Sequence, residues 1–238
     1  MRYALCNFDV SRKALVEKHM KKIARKKIIF SIILLGLIGL LFSSYQTILI
    51  EAGRYLTPER IGKADVVILE GTELIRGDTV KVGLKLLSSG EARRLVVVYQ
   101  HSDDEKIFGR PANYNIYLTK ELEELGLKKD QIIVLKVPKE HPITLTEARI
   151  VLSSLSKSGV KSAILVAEGF HTRRSLWTYR QVGLPVGIEI IPSPYFIKYN
   201  NESWWQKMDG VRDFVGESVK FFYYLVRGYI PLKSILVA

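Results

Sequence analysis

From Ile28 to Ile50 the chain carries no formal charge, and the centre of this run reads IIFSIILLGLIGLLF. Few structures accommodate such a stretch. A helix of roughly 20 apolar residues spans the hydrocarbon core of a bilayer, and a helix satisfies all its own backbone polar groups there. The run predicts one N-terminal transmembrane helix over 28–50. A cleaved signal peptide competes for the same position. Its apolar region would be shorter and followed by a small-x-small site. Here Ser43-Ser44-Tyr45 matches poorly, and apolar residues resume at Ile48-Leu49-Ile50. A retained anchor is the expectation.

The formal net charge is +12, a balance that can mark nucleic-acid binding. Its placement argues against that use. Residues 1–27 hold nine Lys/Arg against two Asp/Glu, and Lys21, Lys22, Arg25, Lys26 and Lys27 stand directly before the apolar run. Basic blocks beside a membrane helix stay in the cytoplasm. The expected location is the cell (inner) membrane, single-pass, with a cytoplasmic tail and the main domain periplasmic or extracellular. A basic amphipathic tail could also bind anionic headgroups, although fixing topology accounts for the charge by itself. The bilayer is one expected partner. No aromatic–basic interleaving follows residue 50, so nucleic acid is not expected. The single cysteine, Cys6, lies in the tail, which excludes a disulfide framework or a thiolate metal site beyond the membrane.

Residues 51–63 read as a polar connector containing Pro58, and 64–230 as the folded domain. Within it short apolar runs alternate with helical patterns. Strands are expected at 65–69, 95–99, 132–135, 163–167 and 186–191. Helices are expected at 74–89, 113–125, 144–157, 171–182 and 211–226, four of them stopped by Gly90, Gly126, Gly159 and Gly183. Continuous apolar strands suit a sheet covered on both faces. This alternation predicts an open α/β, mainly parallel sheet with right-handed crossovers. Residues 231–238 form a tail too short to span a bilayer. The aromatic tracts Tyr195-Phe196, Trp204-Trp205 and Phe221–Tyr224 either pack the last helix on the sheet or lie near the membrane interface; packing is the simpler reading.

Ligands of open α/β sheets sit outside the carboxyl ends of the strands, so the loops there carry the candidates. Glu70-Gly71-Thr72 has one glycine and a carboxylate, a poor phosphate cradle. Glu70 could orient a basic group, bind a metal or pair with an arginine. Arg76 could reach an anion or simply be solvated. His101-Ser102-Asp103-Asp104-Glu105 offers metal-ligand types, but consecutive residues do not converge on one ion, and no metal site is assigned. Thr144-Leu145-Thr146-Glu147 matches a capping box, with Thr144 and Glu147 bonding each other's backbone; the alternative turns Glu147 toward the crevice. His171, Arg173 and Arg174 open a helix, where cations are disfavoured and an acidic partner is expected. His171 and Arg174 share a face at i,i+3. Arg174 could hold phosphate or carboxylate, His171 could move a proton, or both could be absorbed in salt bridges to Glu147 or Glu168.

Four segments together, Ala64-Asp65-Val-Val-Ile-Leu69, Thr144-Leu-Thr146-Glu147-Ala148, Leu165-Val-Ala-Glu-Gly-Phe-His171-Thr-Arg-Arg174-Ser175 and Glu217-Ser-Val-Lys220-Phe-Phe-Tyr-Tyr224, resemble the YdcF-like domain-of-unknown-function family of SanA/ElyC-like envelope proteins. The resemblance covers about residues 64–230. It implies a Rossmann-like, mostly parallel five-stranded sheet with helices on both faces, preceded by one membrane helix. It implies a role in bacterial envelope biogenesis, in peptidoglycan or lipid-carrier metabolism. The implied ligand is an anionic, phosphate-containing envelope metabolite, with phosphoester hydrolysis or transfer as the first reaction class. His171 and Glu147 would be the catalytic pair, and Arg174, Thr144, Glu70, Thr72 and Arg76 the ligand-binding set. No cofactor is identified. Two loops depart from the family pattern: Glu70-Gly71-Thr72 replaces a glycine run, and Tyr99-Gln100-His101 replaces Ser-Gly-Gly. Bulkier residues on one side of the crevice should fill part of the pocket. The alternative is a non-catalytic scaffold or binding module with a closed pocket and envelope proteins as partners.

Overall fold

The structure, a computed structural model, describes residues 2–72, 75–101 and 114–236, apart from the side chains of 2–19, 21, 24 and 72. The chain divides into two compact units, Met1–Leu49 and Ile50–Ala238.

The first helix, α1, runs Arg2–Leu56. Its segment Arg25–Leu56 is long and apolar enough to cross a membrane, with a mean hydropathy of 2.4 over its 18-residue apolar window. The large side chains of this run, from Ile28 to Phe42, are exposed, as a lipid-facing helix requires. The helix does not end with the uncharged run. Glu51–Leu56 is helical where a polar connector was expected, because Leu56 is buried against the domain. Thr57 Oγ1 donates to Gly53 O at 3.0 Å and accepts from Asn201 Nδ2 at 2.8 Å. Pro58 follows, and the residue before a proline is pushed out of the helical region.

The second unit is a five-stranded sheet of β1 (Val66–Thr72), β2 (Arg94–His101), β3 (Ile132–Pro138), β4 (Ser162–Glu168) and β5 (Glu189–Tyr195). The order is β3-β2-β1-β4-β5, and every neighbouring pair is parallel. The helices are α2 (Gly77–Ser88), α3 (Tyr114–Glu124), α4 (Ile143–Lys157), α5 (Thr172–Gly183) and α6 (Met208–Val226). The α/β fold expected from the alternation is thus present. Strand bounds extend the expected runs by one to four residues at most ends, since polar residues at the carboxyl ends also pair. β5 instead starts at Glu189, three residues after the expected 186, because Leu184–Val186 forms a 3-10 turn closed by Gly187 in the left-handed region. The expected starts of α2 at 74 and α3 at 113 fall on residues outside the described set.

Strand side chains alternate between two cores. Val66, Ile68, Val96 and Val98 pack with Ala148, Val151 and Leu152 of α4 and Leu176 and Tyr179 of α5. Val67, Leu69, Leu95 and Val97 pack with Val80 of α2 and Leu122 of α3. Helices therefore cover both faces, and the period of two in the strands assigns each residue its layer. The strand order turns between β1 and β4, which places the crevice at the carboxyl ends of those two strands.

Residues 231–236 of the expected tail pack on the domain. Ile230 and Ser234 are buried, and Leu232–Ile235 forms a 3-10 turn. The aromatic tracts pack as expected. Phe221, Tyr224, Leu225 and Ile230 surround Trp177, while Phe170 meets Phe196, Tyr199, Trp204 and Phe214 at ring-centroid distances of 5.3–6.1 Å.

Candidate functional site

The site begins where β4 ends. Glu168 closes the strand, Gly169–His171 makes one 3-10 turn, and α5 follows. Gly169 has φ +51°, and a Cβ there would stand 2.7 Å from Tyr199 Oη. Glycine is what lets the chain turn this sharply at that point. The turn aims His171 across the sheet at the end of β1.

His171 Nε2 lies 2.9 Å from Glu70 Oε1 and 2.8 Å from Ser175 Oγ, which itself donates to Glu70 at 2.5 Å. His171 Nδ1 lies 3.2 Å from Glu217 Oε2 and 2.7 Å from Arg174 Nη2. Glu217 comes from α6. It accepts from Arg174 Nε at 2.9 Å and from Lys220 Nζ at 2.9 Å. The acidic partners of the basic helix start are therefore Glu70 and Glu217. Glu168 pairs instead with Arg76 at 3.3 Å, and Glu147 lies one shell deeper.

Burial is the largest single influence on His171 and disfavours the charged imidazole, but the Glu70 and Glu217 carboxylates together outweigh it. Arg174 opposes them, and the net effect pushes His171 up to about 9. Burial raises Glu217, yet the His171 and Arg174 charges and their hydrogen bonds hold it well below the usual carboxylate range. Each ring nitrogen has two kinds of neighbour. The imidazolium gives its protons to Glu70 and Glu217; the neutral ring keeps a proton on Nε2 for Glu70 and accepts at Nδ1 from Arg174. The neutral ring fits this geometry as it stands; the imidazolium sets its Nδ1 proton against Arg174 Nη2, 2.7 Å away, and requires that nitrogen to turn wholly to Glu217.

The capping-box reading of Thr144 and Glu147 is corrected by the structure. The helix starts at Ile143 after Pro142, and the amides of Leu145 and Thr146 both donate to Pro142 O at 3.0 Å. The two side chains are thereby released toward the sheet. Thr144 Oγ1 accepts from Arg174 Nη1 at 2.8 Å. Glu147 accepts from the Gly71 amide at 2.9 Å, Tyr179 Oη at 2.8 Å and Gln100 Nε2 at 3.1 Å. Burial, then the nearby Glu70 charge, pushes Glu147 up to about 7 against these three donors. Burial and the charges of Glu147 and Glu70 raise Tyr179 well above its ordinary value.

A cavity of about 510 Å³ opens beside this network. Glu70, Gly71 and His171 contribute to its floor, Phe170, Tyr195 and Tyr199 give it an aromatic wall, and Arg76, Lys198, Arg212 and Lys220 supply cations. These cations are half-exposed and paired: Arg76 with Glu168, Lys198 and Arg212 with Asp209, and Lys220 with Glu217. The floor is drier. The Glu70 side chain is 8% exposed and that of His171 24%. Glu70 Oε2 is buried with no hydrogen-bond partner among the described residues, so a buried acceptor remains available at the cavity floor.

The expected ligand-binding set divides accordingly. Glu70, Arg76 and His171 line the cavity; Arg174, Thr144 and Glu147 do not. Arg174 was expected to hold an anion, but its guanidinium is committed to Glu217, Thr144 and the Tyr224 ring, 4.8 Å away. It positions Glu217 and His171. Arg173 faces elsewhere and is structural, donating to Tyr55 O at 2.8 Å and Ser234 O at 2.7 Å. The Thr72 side chain and residues 102–105 of the acidic loop lie outside the described residues. No group of three or more metal-ligand side chains occurs among those described. Of the two altered loops, Gln100 fills the β1–β2 side by donating to Gly71 O and Glu147. Tyr99 packs edge-on against Tyr114 at 5.1 Å. The open space lies on the β4–α6 side.

Glu217, Ser175 and Tyr179 were missed as site residues. Ser175 is four residues after His171, a spacing that puts it on the same helix face. Glu217 sits 46 residues from His171, and no local signal joins them. No family model matches the chain, and no curated protein matches it.

Proposed function

We propose that the protein is a single-pass membrane protein of the YdcF-like kind. Its tail lies in the cytoplasm and its α/β domain outside, where it binds an anionic, phosphate-containing envelope metabolite. The observation that carries this reading is His171. It stands at the crevice of a parallel sheet, between the Glu70 and Glu217 carboxylates and partly open to a cavity lined by four Lys/Arg side chains. Phosphate oxygens compete well for such paired surface cations because each pairing is weak in water while phosphate offers several charge-assisted bonds. The aromatic wall of Phe170, Tyr195 and Tyr199 suits the apolar face of a sugar or prenyl group.

The reaction class that fits is phosphoester hydrolysis or transfer. Water, or an acceptor hydroxyl in transfer, would form the new P–O bond as the bond to the leaving oxygen breaks. His171 would give that oxygen a proton while Glu70 and Glu217 hold the ring in place; the nucleophile's proton passes to solvent. Arg174 and Thr144 act at one remove, by fixing Glu217 and the first turn of α4. Full-length protein in detergent, incubated with polyprenyl phosphates and pyrophosphates, should bind them and release phosphate. His171→Ala should lower turnover by 10²–10⁴-fold, the range for loss of a general acid, and Lys220→Ala should weaken binding with less effect on turnover. Absence of both binding and phosphate release, with no difference between native and His171→Ala protein, rejects the reading.

One observation favours the non-catalytic alternative. Gln100 and Glu70 occupy the crevice, and both ring nitrogens of His171 have carboxylate partners within the protein. In that case binding survives His171→Ala and no turnover is found.

A further inference from the structure

α6 carries two apolar faces, and only one is used. Phe221, Tyr224 and Leu225 are buried in the domain. Met208, Val211, Val215, Val219, Phe222 and Val226 are exposed, Met208 by 82% and Val226 by 68%. At 100° per residue these six fall within an arc of about 80°, a continuous stripe along the whole helix. Scattered exposed apolar residues need no explanation, but a contiguous stripe marks a surface that meets something. Basic residues flank it: Lys207, Arg212, Lys220 and Arg227 are all exposed.

The chain itself indicates what the stripe meets. Tyr55 stacks edge-on against Phe221 of α6 at 6.3 Å, and its hydroxyl donates to Ile235 O at 3.1 Å. The Arg173 guanidinium lies 3.8 Å from the Tyr55 ring and ties Tyr55 O to Ser234 O. Tyr55 is five residues beyond Ile50, where the uncharged run ends. Fully extended, five residues reach about 18 Å. Tyr55 is thus held within that reach of the end of the uncharged run, and Phe221 of α6 lies one ring contact beyond Tyr55. The turn after it adds Leu232 and Leu236, exposed by 73% and 88%.

We propose that the exposed stripe of α6, with the Leu232–Leu236 turn, lies in the interface of the bilayer that holds the anchor, with the flanking Lys and Arg on anionic headgroups. An apolar face with cations beside it is the pattern of an interfacial helix, and tethering makes a weak surface affinity sufficient. α6 also supplies Arg212, Glu217 and Lys220 to the cavity. Its placement on the membrane would bring the cavity mouth to the headgroup layer, where an amphiphilic ligand resides. The inference rests on 28–50 being a membrane span but not on the cavity binding phosphate.

The test uses the full chain with Cys6→Ser and a single cysteine at Val219, labelled with an environment-sensitive fluorophore. The protein is reconstituted in phosphatidylethanolamine–phosphatidylglycerol vesicles containing doxyl-labelled lipid. Lys128→Cys, exposed on the far side of α3 in sequence, is the reference. Emission from position 219 should shift to the blue and be quenched several-fold more than that from 128, at all protein densities. Solvent-like, unquenched emission at 219 in protein that resists an alkaline wash overturns the inference and leaves the span intact. A blue shift that lipid does not quench and that fades as the protein is diluted in the vesicles assigns the stripe to a second copy and also overturns it. Loss of the chain in the alkaline wash removes the span reading, and the inference with it.

Discussion

The Gly71 amide donates to Glu147 Oε1 at 2.9 Å, and a Cβ on Gly71 would stand 2.6 Å from Oε2 of the same carboxylate. The single glycine of the β1 loop therefore serves a buried side chain of α4, not a phosphate. A methyl group at 71 would have to displace the carboxylate or the Val98 side chain, 3.1 Å away. Gly71→Ala should destabilise the domain by about 1–3 kcal/mol, the cost of overpacking a filled site. The contrast is Gly216→Ala, where nothing stands within 4 Å. That change should stabilise α6 by about 0.5–1 kcal/mol through helix propensity. Thermal unfolding of the two variants in one detergent measures both.

The titrating groups of the site give stability a definite pH dependence. His171 is raised from 6.5 to about 9, so the native state binds the extra proton between those values, and its contribution is lost as pH rises through 9. Glu147 is raised from 4.5 to about 7, and its contribution fades over that interval with the same sign. Glu217 is depressed, so its contribution is complete above 4.5 and is lost in acid. The site should stabilise the fold most near pH 5 and progressively less toward pH 9. Melting curves across pH 4–10 should show the decline, and Glu147→Gln should flatten its lower half while His171→Gln flattens the upper.

Glu217 carries the charge balance of His171 and Arg174. Glu217→Gln leaves a buried guanidinium facing a neutral amide, and breaking a buried pair from one side costs about 3–5 kcal/mol. It also removes one of the two carboxylates that sustain the imidazolium, so the His171 pKa should fall from about 9 toward neutrality. Titration of the His171 ring by NMR separates this electrostatic effect from simple destabilisation. A pKa unchanged in Glu217→Gln would show that Glu70 alone holds the ring.

Arg173 links three distant segments. It is fully buried and bonds the carbonyls of Tyr55 and Ser234. Arg173→Ala strands both acceptors, each worth about 1–3 kcal/mol when buried and unpaired, and frees the 231–236 turn. A lower melting temperature should come with faster proteolysis of the C-terminal segment. Deleting residues 231–238 should reproduce the thermal part of that effect.

Much of this protein was legible in the chain itself. The uncharged run fixed a membrane-length helix, because no other element hides so many consecutive apolar residues. Short apolar strands between helices stopped by glycine fixed a doubly covered parallel sheet, since both faces of each strand had to be buried. His171 and Arg174 stood out because cations at a helix start require acidic partners, and the i,i+3 spacing joined them. Which acids answered them was decided only by the tertiary structure. Glu70 is 101 residues from His171 and Glu217 is 46 residues away, and sequence separation carries no information on such pairings. Thr144 and Glu147 fitted a local cap equally well; the start of α4 at Ile143, with Pro142 O already taking the nearby amides, turned them inward. Arg174 looked like an anion ligand from its chemistry and proved to be a support, because whether a guanidinium faces a cavity or a buried carboxylate depends on packing between α5 and α6, not on the residues beside it.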